Sequence, residues 1–290
     1  MFQMPEANTG LTRGSAGACA PEARGQFSVR LFNAEADSKM AGGPVTVTEG
    51  HFEGTLRRDA WWTEILPAGL LLGIFGIYAT YRAFEGTYYA WGPYLSPFYS
   101  PLIDPQHHFW PLSPALLILV FPLGFRTTCY YYRKAYYRAY FMDPPACAVG
   151  ERKRSYCGET KFPFILQNLH RYFLYAAFII LGFLWYDAIV AFILDGHFFI
   201  GVGSIIMLVN VILLSIYTLS CHSLRHLIGG KVDCFSCANF GSSRHAGWRG
   251  VSILNERHML YAWCSLISVG LTDLYIRLVA AGVLRDITIL

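Results

Sequence analysis

The chain has 290 residues, 54% hydrophobic and 16% aromatic, with only 14% charged and a formal net charge of +4. A soluble globular protein carries nearer a quarter charged residues, so this composition excludes a soluble enzyme and points to a polytopic membrane protein. It also excludes a nucleic-acid binder, because the basic residues follow loop topology instead of forming one basic stripe.

Residues 1–58 form a polar segment rich in Gly, Ala and Glu, and the first 25 residues are expected to be disordered. Those 25 residues contain no apolar run that would serve as a signal core. Arg57-Arg58 then precede Trp61-Trp62, a basic flank and an aromatic pair where a chain enters a membrane. Residues 59–290 make up the membrane domain. Five apolar spans are predicted there, at about 61–82, 110–132, 170–194, 199–222 and 257–284, each near the roughly 20 residues that cross a bilayer. The expected fold is therefore an all-α bundle of five transmembrane helices.

Charge sets its orientation. Six Lys/Arg lie in 1–60, eight in 126–168 and five in 225–257, together 19 of 23, and the loops 83–112 and 195–198 have none. By the positive-inside rule the N-terminus and the 126–168 and 225–257 loops are cytoplasmic. Most of the eight cysteines fall on that reducing side, which argues for ligands over a disulfide framework.

The third and fifth spans share a pattern. Leu174-Tyr175-Ala176 and Leu260-Tyr261-Ala262 are 86 residues apart, and so are Asp187 and Asp273. Charges within a membrane are expensive and usually paired, and Arg277, one turn beyond Asp273, is the obvious partner. A structural ion pair is the plainer reading, with a proton path or an outer quinone pocket as the functional one. At the opposite ends of these spans lie His170-Arg171-Tyr172 and Arg257-His258. Histidines at this depth ligate b-type haem, or hydrogen-bond a quinone carbonyl and deliver protons.

The densest chemistry lies in CHSLRHLIGGKVDCFSC, residues 221–237. His222 and His226 share a helical face, Gly229-Gly230 let the chain turn back, and Cys234 and Cys237 form a C-x-x-C pair. Two imidazoles and two thiolates suit a Cys₂His₂ zinc site or a Rieske-type [2Fe–2S] cluster. The usual Rieske signature, C-x-H followed by C-x-x-H, is absent. Cys221 is a fifth candidate ligand.

DPPAC at 143–147, FPFILQNLHRYF at 162–173, CHSLRHLIGG at 221–230 and NERHMLYAW at 255–263 occur in an order that resembles the membrane-anchor, cytochrome b-like subunit of actinobacterial-type succinate dehydrogenases. The resemblance covers about residues 60–285. It implies a multi-pass subunit in a bacterial plasma membrane, part of an enzyme without succinate-oxidising chemistry of its own. Flavoprotein and iron–sulfur subunits would dock on its cytoplasmic face, and menaquinone and lipids would bind within the membrane. A higher oligomer of the complex is compatible with it.

For the cofactor, the resemblance implies a Rieske-type [2Fe–2S] cluster at the cytoplasmic membrane edge. His222, His226, Cys234 and Cys237 would be its ligands, with Cys147 or Cys221 able to replace either thiolate. His170, Arg171, His258 and Trp263 would serve the quinone side. Two alternatives stand beside this reading. One is a haem b-binding cytochrome subunit of another respiratory dehydrogenase; the other is a zinc-stabilised transporter or scaffold, whose mark would be broken helices at mid-membrane.

Overall fold

The structure is a computed structural model that describes residues 57, 59–103, 113–142, 145–149, 162, 164–230, 232 and 234–289. The expected disorder of the N-terminal segment lies outside these residues. Eight helices dominate: α1 (Leu66–Glu85), α2 (Pro114–Thr127), α3 (Tyr130–Tyr136), α4 (His170–Val190), α5 (Val202–Leu219), α6 (His222–Gly229), α7 (Gly241–Asn255) and α8 (His258–Ala280). Two small antiparallel hairpins join them, β1–β2 (Ala90–Trp91 with Tyr94–Leu95) and β3–β4 (Ile193–Leu194 with His197–Phe198).

Among the described residues four segments are long and apolar enough to cross a membrane: Leu66–Glu85, Ile165–Val190, Val202–Leu219 and His258–Ala280. Many of their large apolar side chains face outward, among them Ile74, Ile77, Ile179 and Leu271. That is the expected surface where the surroundings are hydrocarbon. The chain is a multi-pass membrane protein. Its α5 and α8 make the most extensive helix pairing, with α4 packed between α2 and α5, and α1 at the periphery.

The second span departs from the straight helix expected over 110–132. Helix α2 has 14 residues, only about 21 Å at 1.5 Å per residue, short of the roughly 30 Å hydrocarbon core. The chain then turns by 84° into α3, which continues through one π-helical turn, Tyr137–Phe141. Together the two pieces count as one broken span, for a maximum of five. Helix α2 lies tight against α4: a Cβ on Gly124 would come within 2.3 Å of the Phe173 ring. The other departure is at the end of α5, where the helix stops at Leu219 and restarts as α6 at His222.

The hairpin end of the bundle is tied by charge. Arg277 Nε donates to both carboxylate oxygens of the fully buried Asp273, at 3.1 and 2.9 Å. Its Nη1 reaches Glu85 at 2.9 Å and the Thr87 carbonyl at 2.6 Å. Tyr78 donates to Asp273 at 2.6 Å, and Ser96 donates to the same carboxylate. The expected Asp273–Arg277 pair therefore forms, and Glu85, not Asp187, supplies its second acid. Nearby, Tyr94 and Tyr275 both donate to Asp286, at 2.5 and 2.7 Å. Burial, with the Asp286 carboxylate beside it, pushes the Tyr94 phenol up to about 12, so it stays a donor.

Replacing Arg277 with Ala would strand the Asp273 carboxylate in a low-dielectric interior. The expected cost is about 3–5 kcal/mol, relieved in part by protonation of the acid. Thermal unfolding of the purified complex measures it, and a melting temperature unchanged from the parent would refute the role given to this pair.

Candidate functional site

Both helix breaks have the same design. Each occurs at a hydroxyl residue followed by cysteine, Thr128-Cys129 after α2 and Ser220-Cys221 after α5. Both cysteines leave the helical region for extended backbone, φ −68°, ψ 133° at Cys129 and φ −64°, ψ 135° at Cys221. Each becomes the N-cap of the next helix, its carbonyl accepting that helix's first bond, from Arg133 at 2.9 Å and from Arg225 at 3.1 Å. The breaks thus swing two buried cysteines, 2% and 1% exposed, into the protein interior.

The first residues of α4 and α8, His170 and His258, meet them. His170 holds Thr128 Oγ1 through Nδ1 at 2.8 Å and presents Nε2 to Cys221 Sγ at 3.2 Å. His258 holds Ser220 Oγ through Nδ1 at 2.6 Å and presents Nε2 to Cys129 Sγ at 3.6 Å. Each hydroxyl–cysteine pair grips one histidine by its oxygen and the other by its sulfur. The result is a closed ring.

Proton positions follow from the other hydrogen bonds. Thr128 Oγ1 donates to the Gly124 carbonyl at 2.7 Å, and Ser220 Oγ donates to the Tyr217 carbonyl at 2.9 Å. With their own hydrogens committed, both hydroxyls accept from the imidazoles, so each Nδ1 carries the proton. Each Nε2 then has a free lone pair aimed at a thiol. A second-sphere acceptor that fixes the tautomer in this way is the usual support of a metal-binding histidine. Aromatic rings wall the ring in: Phe125 lies flat on His170, centroids 4.9 Å apart, and Tyr217 lies on His258 at 5.1 Å. Such contacts contribute about 0.5–1.5 kcal/mol each beyond burial and exclude water.

Among the described residues, no three His, Cys, Asp or Glu side chains converge closely enough to hold one metal ion. The ring has two histidines and two cysteines arranged as pairs. Cys129, Cys221, His170 and His258 are the donor types of a Rieske-type [2Fe–2S] group, two imidazoles and two thiolates, although here each imidazole faces a thiol whereas such a group places both imidazoles on one iron. They fit a haem poorly, since both Nε2 atoms face sulfur.

Residues 63–282 match the family described as actinobacterial succinate dehydrogenase subunit SdhC. The chain belongs to that family. It is also similar to a chain of the solved Mycobacterium smegmatis Sdh1 complex in the apo form, at 49% identity, with a TM-score of 0.72. That match covers 80% of this chain and 92% of the other. No curated protein matches. This SdhC-family chain is therefore a membrane-anchor subunit of a succinate dehydrogenase, and all four ring residues fall inside the matched region.

The structure does not bring together the ligand set expected from residues 221–237. His222 and His226 do share a face of α6, but that face is exposed, and His226 Nδ1 is 2.9 Å from Arg171 Nη2. Cys234 and Cys237 are joined to each other as a disulfide, which leaves no thiolate for a metal. The loop that carries them packs through Phe235 on His245 and Trp248 of α7. Cys147 is exposed. Of the six metal candidates only Cys221 joins the ring, while His170 and His258, expected on the quinone side, supply its imidazoles. Trp263 packs edge-on against Tyr132 at 5.4 Å. Sequence reasoning missed Cys129. The available signal was the recurrence of a hydroxyl–cysteine pair at the end of an apolar run.

Burial separates these cysteines chemically. In the folded complex a water-soluble maleimide should label Cys147 within minutes and leave Cys129 and Cys221 unmodified until denaturant is added. Peptide mass spectrometry reads this directly. Labelling of Cys221 as fast as Cys147 would contradict the enclosed ring.

Proposed function

We propose that this anchor passes electrons from a docked iron–sulfur subunit to menaquinone, and that Cys129, Cys221, His170 and His258 hold a Rieske-type [2Fe–2S] cluster on that route. The observation that carries the reading is the pair of imidazoles held as Nδ1–H tautomers by Thr128 and Ser220, with both Nε2 lone pairs turned to cysteine sulfurs. A protein with no use for metal ligation gains little from two neutral imidazoles and two thiols enclosed together. Family membership supplies the enzyme, and the similarity to a chain of a succinate dehydrogenase complex supports partner subunits and quinone.

When bound, such a cluster supplies a one-electron relay, with a reduction potential raised above that of all-cysteine clusters by its two imidazoles. The chain's own residues do the rest. Thr128 and Ser220 keep the protons on Nδ1 and fix both ring planes. Phe125 and Tyr217 keep water from the ligands. The neighbouring α6–α7 hairpin, which exposes His222 and His226 beside the exposed Arg171, is the face on which we place the iron–sulfur subunit, the side that the positive-inside rule assigns to the basic loops.

Paramagnetic resonance of the purified, reduced complex tests the ligand set, through the signal of the imidazole-ligated cluster as distinct from those of the docked iron–sulfur subunit. Cys129→Ala and Cys221→Ala should each lose the cluster signal and reduce quinone turnover at least a hundredfold, while succinate oxidation by a soluble dye persists. Cys237→Ala should keep the signal. Loss of the signal in Cys237→Ala with retention in Cys129→Ala would overturn this assignment in favour of the C-x-x-C loop.

A further inference from the structure

Arg126 is a buried charge that no role described so far uses. It lies in the last turn of α2, and its carbonyl accepts from the Cys129 amide at 3.1 Å. The residue is 9% exposed. Its guanidinium donates to the Tyr132 hydroxyl, to Ser265 Oγ at 3.2 Å and to the Ala262 carbonyl at 3.4 Å. It also lies over the ring faces of Tyr217 at 4.9 Å and Tyr132 at 5.5 Å. Every one of these partners is neutral.

Among the described residues no carboxylate comes within ion-pair distance of Arg126, whereas Arg277 at the hairpin end holds two. An arginine does not shed its proton to escape burial. An uncompensated cation at this depth is expensive, and such residues are usually functional. Its neighbours are the walls of the histidine–cysteine ring. Tyr217 has Arg126 over its ring face and is itself stacked on His258, and Phe125, the preceding residue, is stacked on His170.

We infer that Arg126 is a fixed positive charge that raises the reduction potential of the group held by Cys129, Cys221, His170 and His258. The inference rests on the cluster reading under Proposed function. Two ferric irons, two sulfides and two thiolates sum to no net charge. A bound cluster that took up one electron would carry a net charge of minus one, and would return to zero on giving it up. Arg126 attracts the reduced form and is nearly indifferent to the oxidised one. It makes and breaks no bond and moves no proton, so it acts purely through its field. The surrounding rings keep the local dielectric low, where such a field is strong.

The test is a redox titration of the intact complex with dithionite, followed by paramagnetic resonance of the cluster. Arg126→Gln should shift the reduction equilibrium at least tenfold towards the oxidised form, a fall of about 59 mV for one electron. Arg126→Lys, which keeps the charge, should shift it less than threefold. Ser265→Asp leaves the arginine in place but sets a carboxylate against it, and should reproduce the fall seen with glutamine. Either Arg126→Gln or Ser265→Asp decides the matter if the other does not assemble. A parent complex that shows only the signals of the docked iron–sulfur subunit, with none from an imidazole-ligated cluster, would remove the cluster reading and this inference with it. A normal parent signal whose potential is unmoved by Arg126→Gln or Ser265→Asp would remove this inference alone.

Discussion

A broken helix exposes backbone groups that apolar surroundings cannot satisfy, and two of the described helices break, α2 within a bent span and α5 at its end. At both breaks side chains add hydrogen bonds to the helix ends. Thr128 and Ser220 turn their hydroxyls back onto carbonyls of their own helices, and Asn255 donates to the Ser220 carbonyl at 2.7 Å. Having given their hydrogens away, the same hydroxyls can only accept from the imidazoles. One local necessity, satisfying a broken helix, therefore dictates the protonation of two histidines on other helices. The ring, its walls and the placement of α4 and α8 all depend on it.

Much of the fold was legible from composition. Long apolar runs identify membrane spans whatever their partners, and the Asp273–Arg277 pair follows from helical spacing and the cost of charge in lipid. The breaks were not legible. The run through 110–132 is apolar on both sides of residue 128, and hydropathy has no term for backbone direction. Pro122 sits inside α2 without ending it, while the turn comes at Thr128-Cys129, residues with no strong breaking tendency.

The donors that the structure brings together differ from those the sequence suggests for a related reason. C-x-x-C and His-x-x-x-His are conspicuous because their members are close in sequence, and the eye favours local ligand sets. The ring draws on four separate places in the chain, one residue from each, and only tertiary packing assembles them. His170 and His258 stood out as helix-end histidines of matching spans. Cys129, embedded among tyrosines, carried only the faint signal of the Thr128-Cys129 pair, which has no metal-ligand spacing. Membership of the SdhC family does not depend on this choice, since it rests on 220 matched residues from 63 to 282.

Helices α5 and α8 have polar ties at both ends, with a further one between them where Ser268 donates to Asn210 Oδ1 at 3.1 Å. Helices α5 and α8 are joined at one end by the Asp286 bond to the Gly203 amide, at 3.1 Å, with Tyr275 on the same carboxylate. At the other end Ser220 holds His258. Smooth apolar helices in contact can slide along their axes at small cost, because one turn offers much the same surface as the next. Two ties at opposite ends forbid that slippage. A displacement of one helical turn, about 5.4 Å, would break both together. The distant hairpin end thereby acts as a stop that sets the height at which His258 meets Cys129, although it touches neither.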